Sequence, residues 1–409
     1  MLSLEDAGDI LFDEVKRLAP HTRKVETVSL WEVGGRVLAQ DIISGENVPA
    51  FDRSPIDGYA LKASDTLGAT EDNPVILKVM GSVAAGSNVK KELKPKTTMK
   101  IFTGAPLPQG ADSIIRQEEV VEDNSELFIK RVVTKEENVA LRGEDISTGE
   151  FLLSGGTILR AVHMAILATL GIEFVPVYKK PEIGVFSTGS ELVEIHNKLQ
   201  HGQLRVSNIY TLAEIVRQAG GIPINLGIVR DRIEDVVEIY KKADKMKLPI
   251  VVSTGGTASG DYDIIKDAMD SVSISRLFNK VAVRPGAPVV VSAREKQLLI
   301  GLSGNPSGAA VAMLLLIFPI ISKLAGIDRG LEQGKGKLLN PIRLRRRGRL
   351  RSFLWADFHE KNGCIYVNAH ENQFCGAIKT QALSNCLVEI PGGKVSIEAG
   401  ELVDIWKLP

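Results

Sequence analysis

The chain is poor in cysteine and in aromatic residues, and it has no excess of charge of either sign. Its three cysteines, Cys364, Cys375 and Cys386, lack the C-x-x-C spacing of metal sites, so we expect three buried thiols rather than a zinc site or a disulfide framework. None of the six histidines has a metal-ligand spacing or a neighbouring candidate serine nucleophile, so zinc chemistry and hydrolase triads have no support. Lys plus Arg and Asp plus Glu both number 50 in 409 residues, and no global field attracts nucleic acid or a membrane surface.

Long apolar runs are also missing. The most apolar run, 309–321, is about 13 residues long, whereas a bilayer needs ~20, so we expect a buried core helix. The first residues lack the basic and apolar regions of a signal peptide. Ser3 as an N-cap, followed by apolar residues at helical spacing, predicts an opening helix instead. We therefore expect a cytoplasmic protein without a membrane segment.

Helices and strands alternate clearly between residues 179 and 327. The pattern predicts helices over 208–219, 232–244, 261–270 and 306–325. Apolar strands between them indicate a mostly parallel, three-layer α/β sheet domain.

Three further regions differ in texture. Residues 46–139 are rich in strand and turn signals and predict an inserted β-rich domain. Residues 1–45 together with 140–178 predict a mixed connecting domain, and 330–409 predict a C-terminal all-β, barrel-like domain. The expected fold class is a multidomain α/β protein.

Three glycine-bearing turns each follow an apolar run of the α/β region, at 187–190, 253–260 and 303–308. In a parallel sheet such turns emerge at the carboxyl edge of the strands, where ligands bind. Glycine lets backbone N–H groups approach an anion closely, and the following helix adds its positive end. Three such turns in one region predict a cleft for an anionic ligand.

Charged residues lie beside these turns. Asp261 and Asp263 would stabilise the start of a helix in any protein, but next to an anion-binding turn they would also suit Mg²⁺, which prefers oxygen ligands. Lys280 and Arg284 lie four apart in an extended segment and should share a face. Asp231 follows an apolar run, where a solvated charge cluster is the default and a ligand site at a strand's carboxyl end is the alternative.

Three polar loops outside the α/β region carry candidate site residues. Asp57 lies in a rigid loop with two prolines, which a ligand site and an Asx-turn explain equally well. Thr103 follows a strand and places a hydroxyl beside a glycine turn, although a plain loop would explain it too. Asp145 lies in an Arg-Gly-Glu-Asp turn, for which a solvated charge cluster is the default.

An arginine-rich run at 343–351 raises the question of nucleic-acid binding. Its arginines alternate as on the exposed face of a strand, except for Arg346. The neutral net charge and the lack of stacking aromatics within the run argue against nucleic acid. A solvated strand face or an acidic partner fits the run better.

Taken in order, these segments resemble one family over nearly the full length: the bacterial molybdopterin molybdotransferases, or MoeA proteins, which are related to the E domain of gephyrin. The resemblance rests on seven motifs, at 54–60, 103–112, 142–146, 187–193, 253–266, 284–288 and 301–306. It implies a four-domain protomer with an α/β domain of the molybdopterin-binding type and a connecting domain that dimerises. It also implies an antiparallel homodimer whose cleft lies between the two subunits.

The activity that the resemblance implies is insertion of molybdate into adenylylated molybdopterin, with release of AMP, in molybdenum cofactor biosynthesis. Mg²⁺ is the implied metal. The implied partners are a second subunit, the molybdopterin adenylyltransferase and apo-molybdoenzymes, with no nucleic acid and no membrane. A non-catalytic scaffold or carrier of the finished cofactor is the alternative.

By matching position, the resemblance assigns roles to particular residues. The catalytic set is Asp57, Thr103, Asp145, Glu191, Asp231 and Asp263, of which Glu191 and Asp263 would hold the metal. The substrate-binding set is Ser187, Thr188, Gly189, Gly255, Gly256, Ser303, Gly304, Asn305, Pro306 and Ser307. The molybdate-binding cations are Lys280 and Arg284.

Several positions depart from the family's pattern on the oxyanion side. Arg284 replaces a common Lys, Ala287 stands where the family has a Lys, and Gly308 stands where a Ser is frequent. A guanidinium fork is not equivalent to an ammonium group. The acids are complete while the oxyanion side is altered, which leaves the choice between molybdate and tungstate open.

Overall fold

The structure is a computed structural model that describes residues 1–87, 92–256, 264–272, 275–344 and 350–409. These residues fall into two units, Met1–Thr27 with Pro176–Pro409, and Val28–Val175. Each unit has its own sheets and its own hydrophobic core.

The helices follow the predicted periodicity closely. They are α1 (Leu4–Thr22), α2 (Ala161–Thr169), α3 (Asn208–Gln218), α4 (Ile233–Lys245), α5 (Ile264–Ser271), α6 (Pro306–Ala312), α7 (Phe318–Leu324) and α8 (Ile378–Ala382), and a π-helical stretch, Met313–Ile317, joins α6 to α7. The helices predicted over 208–219, 232–244 and 306–325 are confirmed to within one residue at each end. The opening helix is confirmed as well, since the Ser3 hydroxyl accepts a hydrogen bond from the Asp6 N–H.

The strands are numbered in chain order. They are β1 (Val25–Ser29), β2 (Ile42–Ile43), β3 (Gly58–Leu61), β4 (Val75–Val83), β5 (Thr97–Ile101), β6 (Ser113–Arg116), β7 (Val120–Asp123), β8 (Glu126–Ile129), β9 (Phe151–Leu153), β10 (Phe174–Tyr178), β11 (Glu182–Thr188), β12 (Leu192–Val193), β13 (Leu204–Arg205), β14 (Ile222–Val229), β15 (Ile250–Thr254), β16 (Ser275–Lys280), β17 (Val283–Arg284), β18 (Pro288–Ala293), β19 (Leu298–Leu302), β20 (Gln333–Leu338), β21 (Ile342–Arg343), β22 (Arg351–Lys361), β23 (Cys364–Ala369), β24 (Cys386–Ile390), β25 (Ser396–Ile397) and β26 (Leu402–Lys407).

The α/β sheet has six strands in the order β14-β11-β15-β19-β18-β16. The first four are parallel, whereas β18 and β16 run antiparallel to their neighbours at one edge. α1, α3 and the α6–α7 helix pack on one face, and α4 and α5 pack on the other, because each helix presents one apolar stripe. The predicted three-layer, mostly parallel sheet is confirmed.

The predicted core helix is the α6–α7 helix. Pro306–Leu324 is apolar and long enough to cross a membrane by composition alone, but 89% of it is buried inside the protein. Its side chains belong to the same hydrophobic core as α1 and α3. It is therefore a core helix, as predicted.

The C-terminal strands close into a five-stranded barrel, which confirms the barrel-like region. β22, β23, β20, β26 and β24 pair in that order, β24 returns to β22, and β17 adds to the barrel beside β22. The expectation of three buried thiols is wrong for two of them: Cys386 is buried, but Cys375 is half-buried and Cys364 is exposed. Cys364 opens β23 directly after a tight turn at the protein surface, which keeps its side chain in solvent.

The other unit contains a six-stranded sheet in the order β6-β3-β5-β4-β8-β7. Its neighbouring strands are antiparallel except for the β4–β5 pair. The chain enters and leaves this unit through β1 and β10, which pair with each other.

Candidate functional site

The described parts of the three glycine turns meet at one edge of the α/β sheet, as predicted, and residues 257–260 of the second turn lie outside the described residues. A Cβ placed on Gly255 would lie 2.1 Å from the carbonyl oxygen of Thr188, and a Cβ on Gly304 would lie 3.3 Å from the Cα of Gly255. Gly255 also has a φ of 92°, which favours glycine. The turns therefore touch one another, and a larger residue at 255 would separate them. We call residues 187–191, 253–256 and 303–308 the sheet-edge site.

Buried hydroxyl groups hold the first turn in place. Ser187 Oγ lies 2.8 Å from Thr254 Oγ1. Thr188 Oγ1 donates to one oxygen of Asp231 at 2.6 Å, and the Ser190 N–H donates to the other at 3.0 Å. Ser187 and Thr188 are only 1% and 3% exposed. Their side chains thus tie strand ends together, and Asp231 fixes the turn from the end of β14.

The third turn is held by Asn208, a residue that sequence reasoning missed. Its Nδ2 donates to the Gly304 carbonyl at 2.9 Å, and the Asn305 N–H donates to Ser303 Oγ at 3.2 Å. The available signal was a polar residue at the start of the predicted helix 208–219.

Glu191 presents a carboxylate at this edge. The side chain folds back over Gly189, since a Cβ there would lie 2.9 Å from Glu191 Oε2, and it is exposed to solvent. The other predicted metal ligand, Asp263, lies outside the described residues, as does Asp261. Within the described ranges no group of three or more His, Cys, Asp or Glu side chains could hold a metal ion. A single protein carboxylate is compatible with Mg²⁺, because this ion usually takes most of its ligands from substrate phosphates and waters.

Two exposed cations lie on the segment that connects β16 to β18. Lys280 ends β16 opposite Pro288, and Val289 pairs with Leu302 at the end of β19, so this segment reaches the same edge as the third turn. Along the described chain, no acidic side chain lies within ion-pair distance of Lys280 or Arg284. Both charges are exposed and can meet an anion.

Lys280 and Arg284 are both exposed, as the predicted shared face requires, while Val281 and Val283 between them are buried. β16 ends at Lys280 and β17 begins at Val283. The backbone between these two strands forms hydrogen bonds with Leu2. The Leu2 N–H donates to the Lys280 carbonyl at 3.2 Å, and the Ala282 N–H donates to the Leu2 carbonyl at 2.8 Å. The two cations therefore lie on two separate strands, β16 and β17.

The loop that carries Arg284 and Ala287 packs against the third altered oxyanion position, Gly308, through Gly286. A Cβ on Gly286 would lie 2.8 Å from the Gly308 carbonyl oxygen, and a Cβ on Gly308 would lie 3.3 Å from the Cβ of Ser303. The loop that carries Arg284 is thus pressed against the start of the α6–α7 helix. A serine at 308 would have little room without movement of this loop.

The barrel also reaches the third turn. Ser307 is 2% exposed; its N–H donates to the Cys375 carbonyl at 3.0 Å, and its hydroxyl accepts from Trp355 Nε1 at 2.7 Å. Ser307 therefore faces the barrel. Nothing in the local sequence pattern marked Trp355 or Cys375, because both contacts join distant segments.

In the other unit, Asp57 and Thr103 come together. The Thr103 N–H and hydroxyl both donate to Asp57 Oδ1, each at 2.8 Å. These two hydrogen bonds hold the pKa of Asp57 below its usual value, and the bond from the backbone N–H has the larger effect. The carboxylate is exposed, so its charged form is available to a ligand.

Backbone hydrogen bonds join the three polar loops of this unit. Arg53 and Ala140 exchange two bonds of 2.9 Å, and the Gly104 N–H donates to the Ser54 carbonyl at 2.7 Å. Asp145 is exposed, and its N–H donates to Val48 O at 3.1 Å. We call residues 52–57, 103–107 and 140–146 the acidic loop cluster.

The described ends of the arginine-rich run are paired with acids. Arg343 lies 2.8 Å from Glu398, and Arg351 lies 2.8 Å from Glu389 and also contacts Glu5. Residues 345–349 lie outside the described part of the chain. The pairing favours the interpretation of acidic partners, which the chain itself supplies.

Comparison with known proteins matches three family models. They are the MoeA N-terminal region (domain I and II) over residues 2–171, the probable molybdopterin binding domain over 184–323, and the MoeA C-terminal region (domain IV) over 337–408. A molybdopterin molybdenumtransferase from Nostoc sp. is 33% identical over 100% of this chain and 94% of its own length. One from Bacillus subtilis is 33% identical over 98% of this chain and 95% of its own length. A crystal structure of the molybdopterin biosynthesis moeA protein from Pyrococcus horikoshii superposes with a TM-score of 0.88, at 30% identity, over 100% of this chain and 99% of that one.

Proposed function

Because this chain belongs to the MoeA family, we propose that it is a molybdopterin molybdotransferase: it inserts molybdate into adenylylated molybdopterin, releases AMP and yields molybdenum cofactor. The observation that carries the proposal is the convergence of three glycine turns and two exposed cations at one sheet edge. Backbone N–H groups and cations together suit a ligand with a phosphoanhydride and an oxyanion.

The residues of the sheet-edge site divide into those that face a ligand and those that hold the site. Ser190, Gly304 and Asn305 are exposed and can meet phosphate oxygens. Lys280 and Arg284 are the proposed molybdate-binding cations. Asp231, with both oxygens occupied by the first turn, acts as a positioning residue.

The acidic loop cluster supplies the proposed carboxylates of the reaction. Asp57 stays ionised because Thr103 stabilises its charged form, and one of its oxygens is left to orient a water molecule for attack on the anhydride. Asp145 is proposed for the same chemistry because its carboxylate is exposed at the edge of the cluster.

Mg²⁺ is the proposed metal, and Glu191 would hold it from the sheet edge. When bound, the ion would neutralise charge on the phosphates as the anhydride breaks. The fold of Glu191 over Gly189 places the carboxylate beside the first turn, and Asp263 is proposed as the second ligand.

The proposed assembly is a homodimer, and the helix α2 supports it. α2 has no acidic residue, lysine or arginine, Leu167 is its buried residue, and Val162 is 75% exposed. A helix that is apolar on all sides is normally covered by protein. We propose a second copy of this chain as the cover, and the adenylyltransferase and apo-molybdoenzymes of the cytoplasm as the other partners.

An AMP-release assay tests the function. Purified protein, adenylylated molybdopterin, molybdate and Mg²⁺ should yield AMP, and Asp57→Ala or Glu191→Ala should lower the rate by at least roughly tenfold. Asp72→Ala, an exposed acid of a turn away from the acidic loop cluster, is the control and should match the wild type. Binding of the finished cofactor without any AMP release would contradict the enzyme and favour the carrier.

A further inference from the structure

A loop of the barrel, residues 370–377, is anchored rigidly beside the third glycine turn. The side chain of Gln373 bonds both main-chain groups of Trp355: it accepts from the N–H at 3.0 Å and donates to the carbonyl at 2.9 Å. Trp355 in turn donates to Ser307, and Ser307 donates to the Cys375 carbonyl. These bonds form a closed ring that fixes the loop against the start of the α6–α7 helix.

Phe374 is the large side chain that this loop exposes. It is 75% exposed, although burial of an aromatic side chain would stabilise the fold, so folding alone does not explain its position. The residue is nevertheless held: its N–H donates to Asn372 Oδ1 at 3.2 Å, and a Cβ on Gly376 would lie 3.3 Å from Phe374 Cε1. One edge of the ring therefore rests on the Gly376 backbone while most of its surface stays open.

We propose that Phe374 is a substrate-binding residue whose ring stacks on a fused aromatic heterocycle of the substrate, either the pterin or the adenine. This rests on the proposed function, which gives the substrate two such heterocycles joined by phosphates. Phe374 is the chain neighbour of Cys375, which bonds Ser307 directly, so its Cα lies within ~4 Å of a residue that contacts the third turn. A flat ring on a fixed backbone, at the margin of the proposed phosphate-binding site, suits stacking.

Two other exposed apolar residues lie nearby on and after α8. Ile378 and Leu383 are 54% and 58% exposed, and a patch made of all three would suit a protein partner. Phe374 differs from them because its backbone lies within the closed network of hydrogen bonds around Ser307. The two interpretations separate experimentally, since a ligand contact depends on the aromatic ring and a protein patch depends on apolar area.

The test measures the affinity of the full-length protein for two probes, AMP and 6-hydroxymethylpterin, the latter through quenching of its fluorescence. Phe374→Leu should weaken one probe roughly 5- to 150-fold, and the affected probe identifies the stacked ring. Phe374→Tyr should restore affinity. Gly376→Ala should weaken binding of the same probe, because the added Cβ would displace the aromatic ring of Phe374.

Ile378→Ala and Tyr210→Leu are the controls. Tyr210 is an exposed aromatic of α3, two positions after Asn208 and so not on the same helix face. Both variants should bind the probes as the wild type does. Unchanged affinity of Phe374→Leu for both probes, or an equal loss in Ile378→Ala, would overturn the inference.

AMP release from adenylylated molybdopterin separates this inference from the proposed function. Phe374→Leu should raise KM with little change in kcat, since stacking acts equally on bound substrate and transition state. If the wild type releases AMP and Phe374→Leu leaves KM and both probe affinities unchanged, the inference alone fails. If the wild type releases no AMP while the probes still depend on Phe374, the proposed function alone fails.

Discussion

Asp57 receives two hydrogen bonds at one carboxylate oxygen, both from Thr103. A backbone N–H and a hydroxyl that donate to the same oxygen stabilise the charged form of an acid. The sequence motifs pointed to both residues. Their contact spans 46 positions of the chain and depends on the pairing of β3 with β5, which no local pattern predicts.

Thr103→Val should raise the pKa of Asp57 towards its usual value, because the hydroxyl donor is lost while the backbone donor remains. A carboxyl whose folded-state pKa is lowered contributes stability above its unfolded-state pKa and loses it as the pH falls through the folded-state value. The wild type should therefore gain its extra stability over the variant as the pH rises through the acid range, and the difference should stay constant at neutral pH. Carboxyl-carbon NMR titration of Asp57 measures the shift, and identical titration curves in the two proteins would contradict it.

The three thiols should differ sharply in reactivity. Burial raises the pKa of Cys386 to about 12, so its thiolate is scarce at neutral pH, whereas Cys364 is exposed. With a thiol-specific disulfide reagent, Cys364 should react first and Cys386 only after unfolding. Cys364→Ser should remove the fast phase, and a fast phase that survives this change would show that the assignment is wrong.

Residues that hold the sheet-edge site in place escaped sequence reasoning more often than residues that we propose to contact a ligand there. Asn208 bonds a residue 96 positions away, and Trp355 bonds one 48 positions away. Such contacts depend on which elements pack together. Motifs mark chemistry that a ligand needs, and they carry little information on the side chains that support a turn from behind.

Among the elements, the helices were predicted closely, whereas the sequence supported no prediction of strand order. α3, α4 and the α6–α7 helix follow from the 3.6-residue spacing of apolar residues. The antiparallel edge made by β18 and β16 has no such signature, since buried strands of either direction read as short apolar runs. The break between β16 and β17 could not be predicted either, because the backbone there bonds to Leu2, which is distant in the sequence.

The contact between the glycine turns can be tested with a matched pair of substitutions. Gly202 and Gly255 have φ values of 84° and 92°, but a Cβ on Gly202 meets nothing within 4 Å. Gly202→Ala should lower the free energy of unfolding by about 1–2 kcal/mol through backbone strain alone.

Gly255→Ala adds a clash with the Thr188 carbonyl to the same backbone strain. Its free energy of unfolding should fall by about 2–5 kcal/mol, and its affinity for AMP should fall as well. Urea denaturation of the two variants measures both losses in the free energy of unfolding. Equal losses of stability, with AMP affinity retained in both, would mean that the turns do not depend on close approach at Gly255.

At the scale of the whole molecule, the exposed apolar surface of α2 is the feature that predicts assembly. Val162→Glu places a charge on this surface and should convert a dimer into monomers of 44.3 kDa, as measured by light scattering after size exclusion. Val121→Glu is the control: Val121 is an exposed valine on β7, and this variant should remain dimeric. A wild-type monomer, or a Val162→Glu dimer as stable as the wild type, would contradict the proposed assembly.

Molybdate-stimulated release of AMP tests the fold, the glycine turns and the two exposed cations, Lys280 and Arg284, in a single experiment. Wild-type protein with adenylylated molybdopterin and Mg²⁺ should release AMP with a saturable dependence on molybdate. Lys280→Ala with Arg284→Ala should raise the half-saturating molybdate concentration by at least roughly tenfold, since each cation supplies charge-assisted hydrogen bonds. AMP release that does not depend on molybdate, or a double variant with the wild-type molybdate dependence, would contradict the role proposed for Lys280 and Arg284.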